Sequence, residues 1–80
     1  MNLAQLKKGQ KAVISKVDFG RSSLRIMELG LVANVEVKLI SVAPTGDPLA
    51  FQVGDSIVSL RKSDAALVQI QLVKLVQDNL

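Results

Sequence analysis

The side chains able to do chemistry are few: seven carboxylates and ten basic residues, with no histidine and no cysteine in 80 residues. Without those two residue types the usual nucleophile–base pairs and most transition-metal ligand sets are missing. No two carboxylates are spaced as a paired general acid and base. Asp47 and Asp55 both fall in turns, where aspartate is common because it hydrogen-bonds the local backbone. No calcium-loop pattern, phosphate-binding glycine loop or dinucleotide fingerprint is present. The chain is therefore expected to be neither an enzyme nor the holder of a cofactor or metal.

Nucleic acid is the other chemistry to weigh, since small β-barrels often bind it. Single-strand binders stack bases on aromatic side chains. This chain has no Trp or Tyr; its aromatics are Phe19 and Phe51, and Phe51 reads as core. Its basic residues, Lys7, Lys8, Lys11, Lys16, Arg21, Arg25, Lys38, Arg61, Lys62 and Lys74, are dispersed, and the formal charge is only +3. A solvated surface is the expectation, with a small nucleic-acid-binding β-barrel as the alternative.

Eighty residues make one domain, residues 1–80, with a core over about 6–73 and a tail at 74–80. A chain this short buries roughly 60% of its unfolded surface, so some aliphatic surface is expected to stay exposed. The apolar fraction of 49% supplies a core of Val, Leu and Ile. Lys7 and Lys8 follow Leu3 and Leu6 instead of preceding a long apolar stretch, so no signal peptide is expected. The longest apolar runs fall far short of the ~20 residues of a membrane helix. These features set the expectation of a soluble, cytoplasmic protein.

The elements that position these groups follow from the apolar pattern. Lys8-Gly9-Gln10 reads as a turn and Ala12–Val17 as a first strand, whose imperfect alternation calls for a bulge or for burial on both faces. After a turn at Asp18–Arg21, Ser22 or Ser23 is expected to cap a short helix that ends at Gly30. Leu24, Met27 and Leu31 fall at helical spacing and are expected to hold that helix on the core, because so short a segment does not form alone. A turn at Val32–Asn34, with Asn34 suited to positive φ, leads into a strand over Val35–Val42. Val35, Val37 and Leu39 form its core face, and Ile40 and Val42 suggest cover on both sides at its far end.

Two prolines make Ala43–Pro48 the clearest break in the chain. Leu49–Val53 and Ile57–Leu60 read as strands joined by a hairpin turn at Gly54-Asp55. Arg61–Ala66 holds a turn or a single helical turn with Ser63 as its cap, and Val68–Leu72 is the last strand. Leu75, Val76 and Leu80 in the tail extend that strand, begin a helix or fray. Five short strands, one short helix and tight turns predict a mainly β fold, a small closed or nearly closed barrel. SH3-like is the best match and the OB-fold the runner-up.

Several segments together resemble the ferrous iron transport protein A (FeoA) family. Leu24-Arg25-Ile26-Met27-Glu28-Leu29-Gly30-Leu31 resembles its short helix ending in Leu-Gly-Leu, and Ala43-Pro44-Thr45-Gly46-Asp47-Pro48 resembles its Pro-x-Gly-Asp-Pro hairpin loop. Ile57–Arg61, Asp64-Ala65-Ala66 and Val68-Gln69-Ile70 resemble its closing pattern, and Leu6–Gly9 with Ile14 and Val17 its opening. These segments run in order from Leu6 to about Leu72. The chain departs from the family at Ala33-Asn34, where a Pro-Gly turn is usual.

The resemblance implies an SH3-like barrel and a small cytoplasmic accessory protein of bacterial ferrous iron uptake. Such a protein would bind and modulate FeoB, a membrane transporter with a cytosolic GTPase domain, without carrying iron or hydrolysing GTP itself. A homo-oligomer stays open. Leu24, Leu29, Gly30 and Leu31 become candidates for a partner-facing patch, against the alternative that they pack the helix on the barrel. Arg25 is expected to be solvated or to meet a carboxylate of the partner. Pro44, Asp47 and Pro48, with Gly46, shape a rigid loop that could take part in recognition. Arg61 is expected to anchor a turn by donating to backbone carbonyls, with partner binding as the alternative.

Overall fold

The computed structural model describes residues 1–73, so the expectations for the tail at 74–80 lie outside the described residues. The strands are β1 (Lys11–Val17), β2 (Glu36–Val42), β3 (Leu49–Val53), β4 (Ser56–Leu60) and β5 (Val68–Leu72). They form one antiparallel sheet in the order β4-β3-β2-β1-β5. Two short helices join them, α1 (Ser23–Glu28) between β1 and β2 and α2 (Lys62–Ala65) between β4 and β5. The ladder ends at β4 and β5, so among the described residues the sheet does not close on itself by hydrogen bonds.

Two register shifts bend the sheet. One falls between Ile14 and Lys16 of β1 against β5, the other between Leu39 and Ser41 of β2 against β3. Each inserts an unpaired residue that kinks its strand and increases the local twist, which curls a five-stranded sheet around one core. The bulge in β1 answers the broken alternation of that segment. The far end of β2 is not covered on both faces: beyond its bulge Val42 is exposed.

The core is aliphatic around one aromatic. Phe51 is fully buried among Ile14, Val37, Leu39, Leu60 and Val68. Leu3 is fully buried as well, so residues ahead of Leu6 contribute to the core. A 3₁₀ turn at Leu3–Gln5 holds Leu3 there. Asn2 caps that turn by accepting from the Ala4 N–H at 2.9 Å, and the Gln5 side chain accepts from the Asn2 N–H at 2.9 Å. The Ile70 N–H donates to the Met1 carbonyl, tying this segment to β5.

The residues that hold α1 on the core differ from those its spacing suggests. Leu24 is 67% exposed and Met27 is also exposed, whereas Ile26 and Leu31 are fully buried. The helix is closed by a Schellman arrangement. Gly30 lies at φ 96°, its N–H donates to Met27, and the Leu31 N–H donates to Ile26. That closure reverses the chain and sends Leu31 into the core in which Ile26 is also buried. Neither serine caps the start: Ser22 makes no side-chain cap, and the Ser23 hydroxyl instead donates to the Gly20 carbonyl at 2.9 Å. Asn34 takes the expected positive φ, at 73°.

Candidate functional site

The helix α1 and the two segments beside it carry the candidate site. Burial of Ile26 fixes the rotation of α1, and the opposite side presents Leu24 and Met27, three residues apart and so neighbours on one face. The flanking segments add Phe19, which is 98% exposed, and Leu29 and Val32. Five large apolar side chains on and around one six-residue helix are thus left to solvent. Scattered exposed aliphatics need no explanation, but a run of them within fourteen residues, on a fold short of core, does.

The expected residues divide between two places. Leu24, Arg25, Leu29 and Gly30 lie exposed on α1 or at its C-terminal end. Leu31 is buried and does not face a partner; its role is in the core. Pro44, Asp47 and Pro48 lie exposed in the β2–β3 loop. That loop is tied down by the Gly46 N–H donating to the Ala43 carbonyl and the Thr45 hydroxyl donating to the Asp47 carbonyl. The Asp47 carboxylate reaches across to accept from the Lys62 N–H at 2.9 Å. It therefore supplies the acceptor at the start of α2, where Arg61 is the N-cap residue without a side-chain cap. Ser63 does not fill that position.

Arg25 is exposed, as expected of a solvated side chain, yet it also has a partner within the chain. Its guanidinium pairs with the chain's own Asp64, Nη2 to Oδ2 at 3.4 Å, and this pair joins α1 to α2. The carboxylate of Asp64 is largely buried, so the pair has an exposed cationic end and a sheltered anionic one. Arg61 does anchor the turn, but through its backbone carbonyl, which accepts from the Asp64 and Ala65 N–H groups, and not through its guanidinium. Arg25 and Arg61 come together nonetheless. With Arg21, Ser22, Ser63 and Asp64 they line one open polar groove of about 560 Å³ between α1 and α2.

Phe19, Val32, Arg21 and Asp64 were not among the expected site residues, and Met27, expected to pack α1 on the core, faces out instead. Arg21 and Arg25 lie close in sequence, but the far wall of the groove comes from forty residues further on. Among the described residues no group of three His, Cys, Asp or Glu side chains could hold a metal ion. No helix among them is long and apolar enough to cross a membrane.

A bent five-stranded sheet with a helical turn before its last strand defines a small SH3-like domain. The crystal structure of Stenotrophomonas maltophilia FeoA complexed with zinc, described as a prokaryotic SH3 domain protein, superposes with a TM-score of 0.77. It is 34% identical, with 89% of each chain covered. Residues 1–72 match the FeoA domain, and the chain belongs to that family. The solution structure of iron(II) transport protein A from Clostridium thermocellum matches with a TM-score of 0.85 at 31% identity. The match covers 91% of this chain and 46% of that one. A fusion of Fe(2+) transport protein A with the Fe(2+) transporter FeoB, from Porphyromonas gingivalis, is 37% identical over 75 residues. That match takes in 91% of this chain, which spans only 9% of the fusion protein's length.

Proposed function

We propose that this chain is a cytoplasmic accessory protein of ferrous iron transport that docks on a FeoB-type membrane GTPase through the exposed apolar face of α1 and modulates it. The observation that carries the reading is the outward set Phe19, Leu24, Met27, Leu29 and Val32 around a helix whose buried side is already satisfied by Ile26. An apolar face of this kind gains by being removed from water, at roughly 25 cal/mol per Å². The partner is suggested by the Porphyromonas gingivalis relative, in which an A-type segment and the transporter share one polypeptide. The scarcity of catalytic side chains fits a role exerted by binding.

The β2–β3 loop and Arg61 serve this site indirectly. Asp47 bonds the first turn of α2, and Asp64 of α2 holds Arg25 of α1, so the loop and the docking helix are linked through one short element. The test is GTP hydrolysis by the lipid-reconstituted transporter with and without the protein. A changed rate, lost with Leu29→Glu, is the expected result. An unchanged rate despite binding would reduce the role to assembly, and absence of binding in every nucleotide state would overturn the proposal.

A further inference from the structure

The groove between α1 and α2 has a composition that a solvated surface does not explain. The chain has three arginines, Arg21, Arg25 and Arg61, and all three line it. No described lysine does. They arrive from three separate segments: the turn before α1, α1 itself, and the N-cap of α2. Gathering like charges in one concavity costs repulsion that dispersal would avoid. The lining also holds the hydroxyl-bearing Ser22 and Ser63 and a single carboxylate, Asp64.

Asp64 is committed to Arg25 by the 3.4 Å contact, which satisfies its charge and orients one guanidinium. Arg21 and Arg61 are exposed and form no ion pair among the described residues. Three cations against one anion leave the groove with a net charge of +2. Arginine presents a planar fork of donors that matches the oxygens of phosphate or carboxylate two at a time, which lysine cannot do. A carboxylate would occupy one fork and neutralise one charge. A phosphate monoester carries about −1.5 to −2 at neutral pH and three acceptor oxygens, enough for two forks and a serine hydroxyl.

We propose that this groove is a binding site for a phosphate dianion, held by Arg21 and Arg61 and flanked by the Arg25–Asp64 pair. The site does not depend on docking to a transporter. Inorganic phosphate, the terminal phosphate of a nucleotide and the headgroup of phosphatidic acid all present this chemistry.

The test is a titration of the ¹⁵N-labelled full chain with inorganic phosphate at constant ionic strength, followed by backbone amide shifts. Saturable shifts centred on residues 21–25 and 61–64 are expected, with half-saturation at or below about 10 mM, the weak end of measurable affinity. Arg61→Ala should weaken binding about tenfold, and Arg61→Lys should recover only part of the loss because charge returns without the fork. Tighter binding of GDP at the same amides would identify a nucleotide as the source. Stronger retention on phosphatidic acid vesicles than on phosphatidylcholine, lost with Arg61→Ala, would identify a lipid. Equal shifts with acetate, shifts spread over Lys7, Lys8 and Lys38, or indifference to both Arg61 variants would overturn the proposal.

Discussion

Arg25 of α1 and Asp64 of α2 meet at 3.4 Å across thirty-nine residues of sequence, one end of the pair in solvent and the other largely buried. The asymmetry decides what a mutation does. Arg25→Ala leaves a sheltered carboxylate without its partner, a larger loss than removal of a solvated charge. Because Arg25 itself is exposed, the cost should be about 1 kcal/mol, near the top of the range for such pairs. Urea denaturation of Arg25→Ala and Arg21→Ala should show a loss for the first and little change for the second, with the difference shrinking at high salt.

The Asp47 carboxylate acts on α2 from a loop fourteen residues ahead of its N-cap residue. Its acceptor takes the Lys62 N–H, one of the donors that a helix start leaves without an intrahelical partner. Asp47→Ala should cost about 1 kcal/mol, the usual loss of a helix cap, and Asp47→Asn less because an acceptor remains. Hydrogen exchange at the Lys62 amide should accelerate in Asp47→Ala while the β1–β2 amides keep their protection.

Helix α1 offers a direct comparison of its two sides. Ile26 is buried and Leu24 is exposed on the same six-residue element. Ile26→Ala should cost about 2–5 kcal/mol, and Leu24→Ala should fall within about 0.5 kcal/mol of the parent. Thermal unfolding checks both, since each kcal/mol moves the midpoint by roughly 4–8 °C in a domain this small. Equal losses would mean that both sides of α1 are packed.

Gly30 lies at φ 96°, and a Cβ there would meet no atom within 4 Å. Gly30→Ala therefore isolates the backbone cost from any clash, and should destabilise by about 1 kcal/mol. Asn34, at φ 73°, gives the reverse case. Asn34→Gly should raise the unfolding midpoint, because glycine enters the left-handed region without the penalty a Cβ carries.

Strands β2 and β3 were legible in the sequence through their alternation, while β1, with its broken alternation, was legible through its apolar content and the turns on either side. Val37 and Leu39 fell on the buried face as their spacing required. The face of α1 was not legible. Leu24, Met27 and Leu31 share a helical spacing only if the helix continues to Leu31; it ends at Glu28, and the turn at Gly30 carries Leu31 inward on different geometry. The capping of α2 was hidden for another reason. A local rule selects Ser63, whereas the acceptor comes from Asp47, a tertiary contact that spacing does not encode. The FeoA segments supplied the order of elements and the short helix, but its resemblance to Leu-Gly-Leu could not say that Leu29 faces out and Leu31 faces in.

If the proposed docking is specific to α1, apolar surface exposed elsewhere on the chain should not contribute to it. Ile57 on β4 is about as exposed as Leu24 and provides the control. Affinity for the reconstituted FeoB-type transporter should be measured for the parent chain, Leu24→Glu and Ile57→Glu, each first shown to be folded. Leu24→Glu should weaken binding at least about tenfold, or 1.4 kcal/mol, while Ile57→Glu binds as the parent does. Equal weakening by both substitutions, or none by Leu24→Glu, would contradict docking through α1.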